Sequence, residues 1–239
     1  MNNVLELGDK YYKEDNYEEA YKCYLEASLN EDPKACLALA CMYLYGYYPK
    51  RDFKKAIKYF RCAFDYSETE KAACDAIYYL TSESDEFFQD KEAVNLYIEL
   101  MNYLIEKGMW SACITLGGEY QTGAMVPKDI NKAIELFNKA IEHGIDFGYH
   151  CLGEIYFKGD GVEKDYEKAY EYFNKVEGLS NVKIYYYAEM YRLGIIFEKD
   201  IEKAKELYLK LANDTTNVEY DDLYYNYALD RLNELDEEE

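Results

Sequence analysis

Six times along this chain an alanine is followed four residues later by an aromatic or tyrosyl ring and three further on by a short or aliphatic side chain. The sets are Ala20/Tyr24/Ala27, Ala56/Phe60/Ala63, Ala93/Tyr97/Leu100, Ala133/Phe137/Ala140, Ala169/Phe173/Val176 and Ala204/Tyr208/Leu211. The alanines stand 36, 37, 40, 36 and 35 residues apart. A beat of that length means a stacked array, in which each unit hides its apolar side only by leaning on the next. Such an array grows by addition, so the length of 239 residues does not set a domain count.

Spacings of four and three put each alanine set on one face of a helix, here called helix B of the repeat, where the alanine admits a neighbouring backbone and the ring fills the gap between repeats. Seventeen residues before the alanine in repeats two to six stand Leu39, Ala76, Leu116, Leu152 and Tyr187, and four after those come Tyr43, Leu80, Tyr120, Tyr156 and Tyr191. These trace the packed face of a preceding helix A. Between the two helices, Gly46, Gly123, Gly159 and Gly194 stand ten residues before their alanine, and Asp52, Asp129, Asp165 and Asp200 four before it. Glycine permits the positive φ that ends helix A, and aspartate accepts from the free N–H groups that open helix B.

The expected fold is all-α, a right-handed α-α solenoid of about six helix-turn-helix repeats in one domain over 1–239. The repeats run approximately over 4–33, 34–69, 70–108, 109–144, 145–180 and 181–213. Repeat one has a shorter link with Asn16 in the cap position. Repeat three departs most, because Glu83 replaces the glycine and Gln89 the aspartate, so an irregular loop or hinge is expected near Ser82–Asp85. A capping helix over 219–235 covers the open end of the last repeat, and 236–239 form an acidic tail.

With 48 acidic against 27 basic residues the net charge is −21. That charge repels nucleic-acid phosphate and anionic lipid, and it attracts basic surfaces. Direct nucleic-acid and membrane binding are therefore not expected. The plain account of the charge is solubility; the sharper one is a basic partner. No basic n-region opens the sequence and no apolar run reaches bilayer length, which points to the cytoplasm. Seven cysteines lack regular pairing, so a disulfide framework is not expected, and Cys36, Cys74, Cys113 and Cys151 read as small buried apolar residues of helix A.

The stretch Leu152-Gly153, Tyr156, Gly159-Asp160-Gly161-Val162, Asp165, Lys168-Ala169, Phe173 and Lys175 resembles the Sel-one-like repeat, a relative of the tetratricopeptide repeat with a longer inter-helix loop. Leu116-Gly117, Tyr120, Gly123, Asp129 and Lys132-Ala133 repeat it, whereas Leu7-Gly8, Tyr11, Ala20, Tyr24, Ala27 and Pro33 look like an ordinary tetratricopeptide repeat. The resemblance implies a superhelix of helix pairs whose first helices line a concave groove, and a role as adaptor or scaffold. It places Leu5, Asp9, Tyr12, Cys41, Tyr45, Tyr78, Ile114, His150, Glu154, Tyr185 and Glu189 on the concave side. Of these, Tyr12, Tyr45, Tyr78, His150, Glu154, Tyr185 and Glu189 form the expected partner-binding set. Leu5 and Asp9 stand where a two-cation carboxylate clamp would need a basic residue and an asparagine, so capture of an acidic chain terminus is disfavoured. Cysteine-rich secreted relatives are linked to β-lactam binding, but the regular cysteine pairs that go with that activity are missing here.

Chemistry-bearing patterns are sparse. The two histidines, His143 and His150, nearly exclude an imidazole-built metal site, and no phosphate-binding glycine loop, nucleophile elbow or Cys-x-x-Cys pair occurs. No cofactor is expected. His150 and Glu154 lie one helical turn apart, as an acid–base pair would, although a surface ion pair is the commoner reason for that spacing. Thirty tyrosines supply rigid apolar bodies with polar tips, suited both to packing and to recognition. Three functions stay open. The first is a non-catalytic scaffold binding a basic or neutral protein or peptide on the concave face. The second is an acidic inhibitor or immunity-type protein blocking a basic nucleic-acid-binding surface, and the third is a hydrolase-like activity.

Overall fold

The computed structural model describes residues 2–67, 69–82, 90–176, 180–213 and 223–237. Thirteen helices and no strand occur among them. The chain divides into two compact units, Met1–Lys128 and Asp129–Glu239. The first holds α1 (Asn2–Lys13), α2 (Tyr17–Ser28), α3 (Pro33–Tyr45), α4 (Phe53–Ser67), α5 (Glu70–Ser82), α6 (Lys91–Glu106) and α7 (Ser111–Thr122). The second holds α8 (Ile130–Glu142), α9 (Phe147–Lys158), α10 (Tyr166–Lys175), α11 (Asn181–Leu193), α12 (Ile201–Ala212) and α13 (Leu223–Glu237).

Punctuation follows the sequence closely. Gly46, Gly123, Gly159 and Gly194 adopt φ of 70°, 75°, 68° and 67°, the left-handed conformation that closes a helix without a Cβ penalty. Asp52, Asp129, Asp165 and Asp200 each accept from the backbone N–H three residues on, at 3.1, 3.2, 2.9 and 2.8 Å. Asn16 occupies the cap position of α2 but makes no side-chain cap bond. In repeat three Asp90 does the capping, accepting from the N–H groups of Glu92 at 2.8 Å and Ala93 at 3.3 Å. The cap there sits one residue later than the other repeats suggest; Gln89 and the expected hinge at 83–85 lie outside the described residues.

The helix-B seam is the core of both units. Phe60, Phe137, Phe173, Tyr208 and all six alanines of the repeat are fully buried, and Tyr24 and Tyr97 nearly so. Consecutive helices pack as hairpins within each unit, with α1 on α2, α3 on α4, α9 on α10 and α11 on α12. Gly153 shows why a small residue follows Leu152: a Cβ there would lie 2.5 Å from the Phe173 ring. Helix A of repeat six departs from the expected register. Tyr187 is only half-buried, whereas its neighbour Tyr186 is fully buried and stacks on Phe173 at 4.7 Å and 11°. Cys36 and Cys113 are buried as expected, but Cys151 is half-buried and Cys74 is exposed.

Candidate functional site

The helix-A residues expected to bind a partner fall into two environments. In the first unit they make an open field of rings. Tyr12 stands in the last turn of α1, Tyr17 begins α2, Tyr45 ends α3 and Tyr47 follows the turn made by Gly46. Tyr17 and Tyr47 stack at 5.0 Å, and Tyr12 meets both edge-on at 5.4 and 5.8 Å. Tyr45 adds a tilted contact with Tyr47 at 5.9 Å. On α5, Tyr78 meets Tyr79 edge-on at 5.3 Å, and Tyr79 is close enough to Tyr45 and Asp75 for their charge to raise its pKa after that of Cys41. Tyr45, Tyr47 and Tyr78 are 41%, 44% and 68% exposed, which is high for side chains of this size.

Carboxylates border the rings. The Tyr17 hydroxyl donates to Asp15 at 2.6 Å and the Tyr24 hydroxyl to Asp9 at 2.9 Å. Partial burial, then the Tyr47 hydroxyl, pushes the Tyr12 pKa up to about 12, so Tyr12 stays a neutral donor at physiological pH. Tyr17 and Tyr47 escape a reading based on helix-A spacing because both sit beside the A–B turn. The signal that could have found them is an aromatic residue directly after the cap position or the closing glycine.

In the second unit the same helix-A positions are covered. His150 and Glu189 are 5% and 4% exposed, and Tyr185 is buried as well. His150 and Glu154 do not act as a pair. The His150 Nε2 atom lies 3.1 Å from the hydroxyl of Ser180, the residue that caps α11, and its Nδ1 atom has no hydrogen-bond partner. Burial, reinforced by the Lys183 charge, lowers the His150 pKa against the opposing pull of Asp146 and Glu154. Glu154 instead pairs with Lys158 one turn on, and accepts from the Tyr224 hydroxyl at 3.4 Å. The surface ion pair expected between His150 and Glu154 is therefore not formed: His150 is buried against Ser180, and the cation that Glu154 meets is Lys158.

Glu189 is the centre of a network rather than an open acid. Arg192 donates to it from Nη2 at 2.7 Å and from Nε at 3.2 Å, Arg231 of α13 from Nε at 3.1 Å, and the Tyr208 hydroxyl of α12 also donates. Burial alone would raise the Glu189 pKa, but the hydrogen bonds from Arg192 and Tyr208 and the two guanidinium charges outweigh it and leave the pKa lowered. Tyr185 is ringed by Tyr186, Tyr208, Tyr224 and Tyr227 at 5.3 to 6.1 Å. The capping helix, expected over 219–235 and observed at Leu223–Glu237, therefore does more than close the last repeat: Tyr224, Tyr227 and Arg231 lie on the helix-A face itself. A cleft of about 340 Å³ remains between α9, α11 and α13, lined by Phe157, Tyr185, Tyr227 and Arg231 among others.

Among the described residues, no group of three or more His, Cys, Asp or Glu side chains is placed to hold a metal ion, and no helix is long and apolar enough to cross a membrane.

Hairpins with glycine-closed A helices, aspartate-capped B helices and an alanine–ring seam define a helical-repeat scaffold of the tetratricopeptide-like class. The Sel1 repeat profile matches residues 5–32, 33–65, 110–145, 150–175 and 184–214, more than half of the chain, and the chain belongs to the Sel1 repeat family. Sel1 repeat proteins generally mediate protein–protein interactions. The unmatched stretch 66–109 contains the irregular third repeat. No curated protein matches the chain.

Among solved structures, a protective antigen of uropathogenic Escherichia coli displaying an SLR fold is similar at 24% identity and a TM-score of 0.48, over 87% of this chain and 44% of the antigen. This chain thus spans less than half of that protein. A Sel1 repeat protein from Oxalobacter formigenes is similar at 23% identity and a TM-score of 0.48, over 98% and 100%. An immunity protein from Pseudomonas aeruginosa follows at 17% and 0.30, over 85% and 80%.

Proposed function

We propose that the chain is a non-catalytic interaction module whose tyrosine field in the first unit holds a basic or neutral peptide segment of a partner protein. The observation that carries this reading is a field of rings in which Tyr45, Tyr47 and Tyr78 are exposed and Tyr12 and Tyr17 lie half-buried beside them, bordered by Asp15 and Asp75. Exposed tyrosine faces attract guanidinium and ammonium groups, and flanking carboxylates add charge-assisted hydrogen bonds. The net charge of −21 favours encounter with a basic partner over an acidic one. Of the seven expected binding residues, Tyr12, Tyr45 and Tyr78 keep that role; His150, Glu154, Tyr185 and Glu189 serve the packing of the second unit.

The test uses two labelled dodecapeptides, one alternating arginine and glycine and one alternating glutamate and glycine, titrated with the full chain by fluorescence anisotropy. The arginine peptide is expected to bind and the glutamate peptide not to. The double variant Tyr45→Ala/Tyr47→Ala should weaken binding roughly tenfold, the equivalent of about 1.4 kcal/mol. Equal binding by that folded variant would remove the tyrosine field from the function. Binding abolished by moderate salt but indifferent to the tyrosines would favour the acidic-inhibitor reading, in which charge alone does the recognition.

A further inference from the structure

Helix α13 meets the rest of its unit along one stripe. Tyr224, Tyr227, Ala228, Arg231 and Leu235 stand at positions i, i+3, i+4, i+7 and i+11, which share a helix face. Ala228 and Leu235 are buried and Tyr224, Tyr227 and Arg231 half-buried, while Tyr225, Asp230 and Glu234 on the other side are exposed. The stripe packs on α11 and α12, with the Tyr224 and Tyr227 rings each 5.6 Å from Tyr185 and the Arg231 Nε atom 3.1 Å from Glu189. Anchors at this spacing are how an amphipathic helix docks in the groove of another protein. α13 sits on the helix-A face as a ligand would.

Its hold on that face is slight. Among the described side chains, two of α13 are buried against seven of α11. The cleft of about 340 Å³ stays open beside it, walled by Phe157 and Lys158 of α9 and by Tyr227, Asp230 and Arg231 of α13. Both polar contacts are also backed up without α13: Glu189 keeps Arg192 and Tyr208 when Arg231 leaves, and Glu154, which accepts from Tyr224 at a long 3.4 Å, keeps Lys158. Release therefore leaves neither carboxylate buried without a partner, which is the outcome that would oppose it most. Charge works against α13 as well. Leu223–Glu237 carries four carboxylates and one guanidinium, and residues 129–222 of the same unit hold 20 acidic and 12 basic side chains. A helix with the same stripe but basic residues in place of those acids meets a more favourable field.

We propose that the helix-A face of the second unit is a helix-binding groove, filled in this structure by α13 and taken over by a basic amphipathic helix of a partner protein that repeats its stripe of two rings and an arginine. The site uses residues of the second unit alone, so it stands or falls apart from the tyrosine field of the first. α13 is then an internal competitor. The partner's apparent affinity is its intrinsic affinity reduced by the fraction of molecules in which α13 has lifted, so loosening α13 strengthens binding without touching the partner.

The experiment titrates two labelled synthetic peptides with the full chain by fluorescence anisotropy. One has the 15-residue sequence of α13, and in the other its four acids are replaced by lysine. The lysine peptide is expected to bind roughly tenfold more tightly than the native sequence. Arg231→Glu in the chain, which sets a carboxylate against Glu189, should raise the affinity for the lysine peptide by about a further tenfold. Hydrogen exchange locates the event: saturating lysine peptide should speed the exchange of α13 amides in the wild-type chain while that of α11 slows. Should the Arg231 variant fail to fold, the wild-type exchange map decides by itself. Binding that leaves α13 exchange unchanged, or an affinity that a folded Arg231→Glu chain does not raise, would overturn the proposal. So would concentration-dependent dimerisation of the free chain through α13, which would make a second copy the occupant.

Discussion

The helix-A faces of the two units start from the same repeat and end in opposite states. Tyr45 and Tyr78 stand well exposed, whereas Tyr185 and Glu189, placed on the same face by the same spacing, are buried. The difference comes from α13, which sets Tyr224 and Tyr227 against Tyr185 and Arg231 against Glu189. Repeat register assigns a residue to a face; what lies across that face decides whether it can recognise anything. A carboxylate that would be a binding group in the open becomes, under α13, the anchor of three helices.

The helix-B seam is common to both units, and the largest effects belong there. Phe60→Ala in the first unit and Phe137→Ala or Phe173→Ala in the second should each cost about 3–5 kcal/mol in denaturant unfolding, since every one of these rings is fully buried. A small loss at one of the three would break the equivalence of the seams.

Next comes the contrast itself. Tyr185→Ala is expected to cost about 2–4 kcal/mol, and Tyr45→Ala or Tyr78→Ala less than about 0.5 kcal/mol. Equal costs would mean that the two faces are packed alike. Glu189→Ala should cost about 2–3 kcal/mol, less than a fully buried pair would, because Arg192 and Arg231 still reach water and keep part of their hydration.

Glu189 also predicts an acid limit. Its folded pKa is lowered, so its stabilisation is complete above the unfolded carboxylate value of about 4.3 and is lost as pH falls through the folded value. Glu189→Gln should remove that acid-sensitive part of the unfolding curve, and an unchanged curve would show the network to be inert.

The smallest effect concerns His150. Its folded pKa is lowered as well, so the unfolded chain takes up a proton near pH 6.5 while the folded chain stays neutral there. Stability is then full above about pH 6.5 and declines below it, with a slope no steeper than about 1.4 kcal/mol per pH unit. His150→Gln should flatten unfolding midpoints between pH 7.5 and 5.5, and an identical slope in the variant would place His150 outside the pH response.

Much of the fold was legible because its determinants are local. An alanine four residues before a ring, a glycine that must take positive φ, and an aspartate beside free N–H groups each act within one or two turns of chain. Asp90 was missed because capping depends on which side chain meets the N–H groups, and spacing counted from other repeats misplaces that by one residue. Tyr186 was missed for another reason: it is buried by Phe173 of the preceding repeat and by Tyr224 of α13, which stand 13 and 38 positions away in the sequence. The site divided along the same line. The helix-A pattern put Tyr12, Tyr45 and Tyr78 in the proposed site, and Tyr17 and Tyr47 join them there only through the way the A–B turns fold back.

By itself, the sequence determined the repeat, the two helix faces, the turn chemistry and the acidity, since each is a matter of spacing or composition. Only the tertiary structure decided which helix-A face remains open, that His150 turns to Ser180, and that Glu189 joins two arginines and a tyrosine. Those outcomes depend on where α13 comes to rest, and a helix settles where burying its rings and satisfying its charges lowers the free energy most. That place is set by surfaces brought together in space, which no periodicity along the chain encodes.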